Sequence, residues 1–180
     1  MATKKISSVM EKALNAQMTQ EAWQAQVYLS YAAWAEENHY AGIADFLYKH
    51  SHEEREHMFK FIKFILNRGG KVKVEAIKAA PADPKDLGDC LKKLLQHEVE
   101  NSKLIYTLTD LAHSEKDWPA LNFAQWFVKE QVEEETLFSN MLDKYILATT
   151  KKEGNANLYD FDRDVANAPQ ETTIPQEEKF

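Results

Sequence analysis

The chain has 180 residues, of which 44% are hydrophobic, so it is long enough to form one domain around a single core. It carries 29 acidic and 22 basic side chains, a formal net charge of -7, and this acidic balance argues against a nucleic-acid partner. No apolar run approaches the roughly twenty residues of a membrane span, which argues against membrane insertion, and the single cysteine, Cys90, excludes an intrachain disulfide and favours the cytoplasm.

The first two predicted elements are long helices separated by a short turn at Gly42. Helix one is predicted to begin near Ser8, because Ser8-Val9-Met10-Glu11 has the form of a capping box, and to run to about residue 38. Helix two is predicted from about residue 43 to residue 68, where Gly69-Gly70 is typical of a helix C-terminus.

A long connection is predicted between the second and third helices, because Pro81 and Pro84 interrupt the helical pattern. Asp83-Pro84 has the form of an N-cap and first helical residue, so helix three is predicted to start there and to continue to about residue 113. Asp117-Trp118-Pro119 repeats this signal for helix four, which is predicted to end near residue 149. The pattern predicts an all-α four-helix bundle with a long crossover between helices two and three.

Helix two carries metal-type ligands where core residues are expected. Its inward stripe alternates in steps of four and three residues, through Ile43, Leu47, His50, Glu54, His57, Phe61 and Phe64. Burying an unpaired carboxylate costs roughly several kcal/mol, so Glu54 requires a partner or a metal ion.

The other three helices each place an acid on their own inward stripe. Glu21 lies seven residues before Tyr28 on helix one, and Glu98 lies on the inward stripe of helix three. Helix four contributes Gln131 and Glu134. Because one inward acid, on helix two, is followed by a histidine three residues later, the sequence predicts a metal site inside the bundle.

These residues resemble the bacterial non-haem ferritins, which belong to the ferritin-like di-iron carboxylate family. The resemblance covers about residues 8 to 160. The matching segments are Gln20-Glu21 with Tyr28, Glu53-Glu54-Arg55-Glu56-His57, Glu98, and Trp126 with Glu130-Gln131-Val132-Glu133-Glu134-Glu135. The resemblance implies a ferritin-like bundle with a short fifth helix near residues 157–166.

The resemblance implies a di-iron site in which Glu54 bridges the two irons. Glu21 and His57 would complete the first site. Glu98 and Glu134 would hold the second, with Gln131 close by.

Bacterial members also have a third iron position, whose ligands match Glu53, Glu130, Glu133 and Glu134. Taken alone, the Glu133-Glu134-Glu135 run is more typical of a solvated charged face, and the match to Glu53 favours the metal interpretation. Glu135 is assigned to the surface.

Two aromatic residues resemble the redox-active aromatics of the family. Tyr28 and Trp126 could each supply an electron beside the site, and the alternative for both is ordinary core packing. His50 and His97 match no ligand of the family, so they are expected to be structural histidines.

The function implied by the resemblance is iron storage and detoxification by ferroxidase activity. Fe(II) would be oxidised by dioxygen or hydrogen peroxide, and Fe(III) mineral would be kept inside a hollow homo-oligomeric shell of 24 subunits. No haem is expected, because Arg55 stands where haem-containing relatives have a methionine. Four aromatic residues on outer helical faces are expected in subunit contacts: Trp23, Trp34, Tyr40 and Tyr48.

Two other functions remain open. A di-iron oxidase or peroxidase without a storage role would use the same ligands. A metal-free helical interaction module would use the inward acids as a polar network.

The ferritin-like domain is predicted to span residues 1–168, and Pro169 is expected to end the fifth helix. Residues 169–180 contain Pro175 and several glutamates, a composition typical of a disordered tail.

Overall fold

The computed structural model describes residues 6–150 and 156–167, and these residues form five helices and no strand. The helices are α1 (Ser8–Glu37), α2 (Ala41–Asn67), α3 (Leu87–Ser114), α4 (Trp118–Thr150) and α5 (Ala156–Ala166). The four long helices, the crossover and the short fifth helix follow the predicted order. The predicted domain boundary at residue 168, Pro169 and the predicted tail at 169–180 lie outside the described residues.

The predicted start of α1 near Ser8 is confirmed, whereas its predicted cap and the predicted start of α3 were wrong. The N-cap of α1 is Ser7, whose Oγ accepts a hydrogen bond from the backbone N–H of Met10 at 2.9 Å, so the predicted capping box at Ser8 does not form. The N-cap of α3 is Asp86, whose side chain accepts from the backbone N–H of Asp89 at 2.8 Å. Asp83-Pro84 therefore lies in the crossover, three residues before the true cap.

The predicted start of α4 is confirmed, and its cap also connects two helices. Asp117 Oδ1 accepts from the backbone N–H of Ala120 at 3.1 Å. The same carboxylate pairs with both terminal nitrogens of Arg68, the C-cap of α2, at 2.9 and 3.0 Å. This two-point contact fixes the start of α4 against the end of α2.

The crossover runs along α1 and sets the direction of α3. Near the start of α1, the Asn15 side chain donates to the Lys71 carbonyl at 3.0 Å and accepts from Lys73 N–H at 2.7 Å. Further along α1, the indole N–H of Trp23 donates to the Ala79 carbonyl at 3.2 Å. The crossover therefore returns the chain to the other end of the bundle, and α3 runs parallel to α2.

This path corrects the expectation for the outer aromatics. Trp23 is only 7% exposed because the crossover covers it, with Lys78 Nζ 3.6 Å from the ring centroid. Trp34 is 8% exposed and packs against the partly buried Tyr40. Tyr48 is also partly buried. Trp23 and Trp34 are consequently core residues of the subunit and are not available for contacts between subunits.

Helix α5 packs against the N-terminal end of α2. The Asp162 carboxylate accepts from the backbone N–H groups of Gly42 at 3.0 Å and Ile43 at 2.8 Å. A Cβ atom at Gly42 would lie 2.0 Å from the Asp162 carbonyl oxygen, so this close approach requires glycine. Since the N-cap residue Tyr40 makes no side-chain cap, a residue of α5 supplies the cap of α2.

The core consists of two apolar clusters with a polar layer between them. The cluster at the N-terminal half of α1 includes Met10, Leu14, Phe61, Ile65 and Phe127. The cluster at its C-terminal half includes Tyr31, Ile43, Leu47, Leu91 and Phe138. Burial of each such side chain contributes about 2 kcal/mol, so the two clusters hold the helices firmly on either side of the polar layer.

Within residues 6–150 and 156–167, none of the helices has a stretch that is both long and apolar enough to cross a bilayer.

Candidate metal centre

The polar layer contains side chains from all four long helices at the middle of the bundle. Its buried members are Gln17, Glu21, Gln24, His50, Glu54, His57, Glu98, Asn101, Glu130, Gln131 and Glu134. Each faces inward because it continues the four-three spacing of an apolar stripe. The inward placement predicted for the acids on the four helices is thus observed.

The first group joins α1 to α2. Glu21, Glu54 and His57 each offer a ligand atom, and these atoms lie within 4.8 Å of one another. His57 Nδ1 is 3.2 Å from Glu54 Oε2, and Gln17 Nε2 donates to Glu21 Oε1 at 2.7 Å. Glu21 Oε2 is buried and has no hydrogen-bond partner among the described residues, so it faces the centre unpaired.

Glu98 on α3 is held by three donors. Its Oε1 accepts from the Tyr28 hydroxyl and from Gln24 Nε2, the latter at 3.3 Å. Its Oε2 accepts from Gln131 Nε2 at 3.1 Å. These contacts fix the orientation of the carboxylate, and the three metal-type groups found in the described part of the chain do not include it.

Glu53 belongs to two further groups between α2 and α4. One comprises Glu53, His57 and Glu130, and the other comprises His50, Glu53 and Glu134. Three of the four residues predicted for the third iron position therefore fall in these two groups, which share Glu53. The fourth, Glu133, is 38% exposed and pairs with Lys129 at 3.2 Å.

The sequence interpretation missed two buried glutamines that hold the carboxylates. Gln17 donates to Glu21 and also to Asn101 Oδ1 at 2.8 Å, and Asn101 Nδ2 donates to Gln131 Oε1 at 3.4 Å. Gln24 is fully buried, and its Oε1 has no hydrogen-bond partner among the described residues. Gln17 lies four residues before Glu21 and Gln24 lies three residues after it. This spacing places both glutamines on the same face of α1 as Glu21, so the sequence could have revealed them.

Burial raises the pKa of three carboxyl groups in the layer. Desolvation raises the pKa of Glu54 and of Glu134 well above the usual range, and neighbouring acids add to the effect. Desolvation raises the pKa of Glu98 to about 7, although hydrogen bonds from Tyr28 and Gln131 oppose the shift. Without a cation, the centre therefore retains protons that a bound metal ion would displace.

The pKa of His57 is raised well above its usual value. Desolvation opposes protonation, but contacts with Glu130 and Glu54 outweigh it. The Glu130 contact is an ion-pair separation of 3.6 Å between Nε2 and Oε1, longer than a hydrogen bond.

Comparisons with known proteins decide the family. Residues 11–148 match the model of the ferritin-like domain. The chain belongs to the ferritin family. It is 35% identical over 162 residues to a probable bacterial non-heme ferritin-like protein of Haemophilus influenzae, covering 90% of this chain and 96% of the relative. It is 36% identical to the bacterial non-heme ferritin of Campylobacter jejuni over 139 residues, 77% of this chain and 83% of the relative.

The solved structures agree with the sequence relatives. An open pore ferritin from the archaeon Archaeoglobus fulgidus superimposes with a TM-score of 0.86 and 32% identity, covering 91% of this chain and 99% of that chain. The predicted ferritin-like bundle with a long crossover and a short fifth helix is thereby confirmed.

Trp126 of this ferritin lies at the edge of the centre. Its ring is partly buried and meets the His57 ring edge-on, with centroids 5.6 Å apart. Lys60 Nζ lies 4.1 Å from the Trp126 ring centroid. Trp126 also packs edge-on against Phe127, with ring centroids 4.8 Å apart, and this contact holds it beside His57.

The two histidines expected to be structural differ in their surroundings. His97 packs edge-on against Trp23, with ring centroids 5.3 Å apart. His50 lies in the group with Glu53 and Glu134, so the structure places it among the potential ligands. Burial lowers the pKa of His50 to about 4, which leaves the imidazole neutral at pH 7.

The donor set fits iron, which ferritins bind. Carboxylate oxygens with a small number of imidazole nitrogens suit iron in both oxidation states. Three buried ligand atoms lack a hydrogen-bond partner among the described residues: Glu21 Oε2, His57 Nε2 and Glu134 Oε2. Buried polar atoms are rarely left in this state. Cations bound in the two groups that contain these residues, one with Glu21 and His57 and the other with Glu134, would satisfy them.

Proposed function

We propose that this ferritin oxidises Fe(II) at a two-iron site inside each subunit and stores the Fe(III) product as mineral within a homo-oligomeric shell. The observation that carries the proposal is the convergence of Glu21, Glu54 and His57, with unpaired ligand atoms, next to Glu98 and Glu134. Iron is both the substrate and the cargo in this reaction.

The proposed ligand roles are those implied by the resemblance to bacterial ferritins, and the burial of these side chains in one layer supports them. Glu21 and His57 bind the first iron, and Glu54 bridges both irons from α2. Glu98 and Glu134 bind the second iron from α3 and α4. Because Glu98 Oε1 accepts hydrogen bonds from both Gln24 and Tyr28, whereas Oε2 accepts only one among the described residues, from Gln131, we expect Glu98 to bind mainly through Oε2.

Gln131 supports the second iron position from α4. Its Nε2 donates to Glu98 Oε2 at 3.1 Å, and its Oε1 accepts from Asn101 at 3.4 Å. We propose that Gln131 positions Glu98 and contributes its own amide oxygen when the second iron binds. A neutral amide oxygen is a weaker ligand than an imidazole nitrogen would be at this position, which suits an ion that must leave for the mineral.

Oxidation requires electrons and protons to balance. Two Fe(II) ions each lose one electron, and one dioxygen molecule takes up these two electrons and two protons to form hydrogen peroxide. Hydrogen peroxide can serve as the oxidant in the same way, yielding water. The protonated carboxyl groups of Glu54 and Glu134 release protons when metal binds, so protons are available where oxygen is reduced.

We propose that a third iron binds next to this pair. Glu53, Glu130, Glu133 and Glu134 would supply the carboxylates. Glu53 is common to both groups between α2 and α4, and it is therefore the central ligand of this position.

The proposed shell of 24 subunits requires apolar contacts between subunits. Exposed apolar residues occur on the outer faces of the described helices, among them Leu29 (47% exposed), Leu66 (53%) and Leu147 (69%). The formal charge of -7 would concentrate Fe(II) at such a shell. A cytoplasmic location stays a prediction from the cysteine content.

A di-iron oxidase or peroxidase without storage is the second candidate, since the same ligands would serve it. It differs in two measurable ways: it would retain its iron tightly, and it would form no mineral. A metal-free helical interaction module would neither bind nor oxidise Fe(II).

The test is aerobic addition of Fe(II) to the metal-free protein, followed by stopped-flow absorbance and by measurement of particle size. Wild-type protein should oxidise Fe(II) rapidly and retain Fe(III) in a large particle. Glu54→Ala and His57→Ala should lose the rapid phase, because each removes a ligand from the two-iron site, while the particle size stays unchanged.

Glu56→Ala and His52→Ala are the matched controls, because both residues are exposed on the same helix. They should oxidise Fe(II) at the wild-type rate. Rapid oxidation in Glu54→Ala or His57→Ala would show that the ligand assignment is wrong. Rapid oxidation by a small particle that keeps its iron would favour the oxidase.

A further inference from the structure

His50 is buried beside the two-iron site, one turn before Glu53 and Glu54 on α2, and only 7% of the residue is exposed. Its ring contacts three aromatic rings, with centroid separations of 4.1 Å to Phe46, 5.6 Å to Tyr28 and 5.6 Å to Phe138. These contacts explain why an aromatic ring stands at this position. They do not explain which groups the two ring nitrogen atoms of His50 face.

The hydrogen bonding of His50 fixes which nitrogen carries the proton. Nδ1 lies 3.1 Å from the Phe46 carbonyl oxygen, which can only accept, so the N–H is on Nδ1. In the neutral imidazole, Nε2 then carries the lone pair that can bind a metal ion. Metal-ligating histidines usually donate their other ring N–H to a carboxylate, a backbone carbonyl or a water molecule, and His50 has the second of these arrangements.

The lone pair of His50 Nε2 points towards a second acceptor. Nε2 is 3.7 Å from Glu134 Oε2, too far for a hydrogen bond. Glu134 Oε2 is itself buried and has no hydrogen-bond partner among the described residues. No hydrogen bond joins the two atoms at this separation, and one metal ion placed between them would be bound by both.

Glu53 completes the group from the same helix as His50. Ligand atoms of His50, Glu53 and Glu134 lie within 4.8 Å of one another, a separation that one metal ion can bridge. Glu53 and Glu134 bring two carboxylates on opposite helices, and His50 brings one nitrogen. This combination suits a first-row divalent metal ion.

We propose that His50 is a metal ligand, and that its Nε2 binds an ion held between Glu53 on α2 and Glu134 on α4. The third iron position therefore contains one imidazole in addition to its carboxylates. The identification of the natural metal as iron rests on the proposed function, whereas the site itself is defined by the three side chains. A nitrogen ligand binds zinc as well as iron, so a redox-inactive probe can test the site.

The test uses crystals of the metal-free protein soaked with Zn(II) alone, with anomalous scattering to locate the ions. The expected result is a zinc ion with His50 Nε2 at about 2.1 Å, together with oxygens of Glu53 and Glu134. A zinc ion held by Glu53, His57 and Glu130, with His50 Nε2 outside bonding distance, would overturn the proposal. Crystals in which no zinc ion lies near His50 would overturn it as well.

Two variants measure the contribution of the nitrogen. His50→Phe keeps an aromatic ring among Phe46, Tyr28 and Phe138 but removes Nε2, so zinc should be lost from this position at concentrations that fill it in the wild type. Zinc at Glu21, Glu54 and His57 should remain. His52→Phe is the control, because His52 is exposed on the same helix, and it should bind zinc as the wild type does.

Retention of this zinc ion in folded His50→Phe would contradict the proposal. If His50→Phe does not fold, the wild-type zinc position decides the question alone. Zinc binding requires no oxidation, so a protein that binds zinc at His50 but fails to oxidise Fe(II) would refute the proposed function and leave this site intact.

Discussion

The hydroxyl of Tyr28 on α1 donates a hydrogen bond to Glu98 Oε1 on α3, across the middle of the bundle. Burial, together with Glu98, Glu134 and Glu54, raises the pKa of this phenol well above its usual value, so Tyr28 stays protonated at neutral pH. A protonated phenol beside the proposed second iron can supply an electron to oxygen reduction while its proton passes to the Glu98 carboxylate. The contact also restrains Glu98 when no metal is bound.

The first prediction concerns Tyr28→Phe, which keeps the ring and removes the hydroxyl. If Tyr28 supplies an electron, the variant should bind iron normally but release more hydrogen peroxide, and its first turnover should slow several-fold. Stopped-flow absorbance and a peroxide assay measure both effects. Tyr31→Phe, a buried tyrosine one turn further along α1, is the control. Equal rates and equal peroxide in Tyr28→Phe and the wild type would establish that the ring serves only packing.

The second prediction is a pH dependence of the metal-free protein. The pKa of Glu98 rises from 4.5 to about 7 on folding, so the folded state binds this proton more tightly than the unfolded state does. Stability from Glu98 is therefore full below pH 4.5 and is lost as the pH rises towards 7. At 1.36 kcal/mol per pKa unit, the loss is about 3 kcal/mol.

Glu98→Gln removes this titration, since an amide does not titrate, and it also removes a charge that raises the pKa of Glu134 and Glu54. The free energy of unfolding of the wild type minus that of Glu98→Gln should fall between pH 4.5 and 7 and then level off. Chelator and a fixed subunit concentration keep metal binding and assembly constant. The comparison with the variant is needed because His50 has the opposite effect on stability. Burial lowers the pKa of His50 to about 4, so its contribution to stability rises with pH. A difference that stays constant with pH would contradict the raised pKa.

The polar layer could be predicted from the sequence, whereas its contacts could not. Inward-facing residues of a helix recur in alternate steps of four and three residues, and this pattern reveals that Glu21, Glu54 and Glu98 face inward. It can be read from the sequence because helical periodicity is a local property. The contact between Tyr28 and Glu98 joins residues 70 positions apart, and it depends on the rotation of α1 against α3. Packing of the whole core fixes that rotation.

Local signals also failed where neighbouring residues competed for one role. Ser7 and Ser8 can both cap α1, and the structure selects Ser7, whose hydroxyl also donates a hydrogen bond to Glu115 at 2.6 Å. Glu11, expected to reach back to the cap, instead accepts from Lys71 N–H at 2.9 Å in the crossover. The misassigned cap of α1 therefore arises from long-range contacts that select one of two equally good local alternatives.

The third prediction concerns the attachment of α5. Asp162→Ala should lower the stability of the subunit by about 1 kcal/mol, because it leaves two N–H groups of α2 without their acceptor. It should also make residues 156–167 more susceptible to limited proteolysis. Asp164→Ala is the control, since Asp164 is exposed and pairs only with the adjacent Arg163 among the contacts described. Equal thermal midpoints and cleavage rates in the two variants would show that the cap does not hold α5.

The fourth prediction separates the third iron position from the two-iron pair. Glu53 belongs to both groups of potential metal ligands between α2 and α4, and it is not among the proposed ligands of the two-iron pair. Glu53→Ala should therefore bind one iron fewer per subunit and change the ratio of iron oxidised to oxygen consumed. Its fast first phase of oxidation should remain, because Glu21, Glu54 and His57 are unchanged.

Glu134→Ala should behave differently, because Glu134 is shared between the second iron and the third position. Its removal should lower the iron content and slow the first phase as well. Fe(II)-soaked crystals, stopped-flow absorbance and oxygen uptake measure the three effects on the same variants, with Glu56→Ala as the control. If Glu53→Ala keeps all its iron and the wild-type ratio, there is no third position. If Glu134→Ala keeps a fast first phase, Glu134 does not hold the second iron, and the carboxylate run on α4 serves the third position alone.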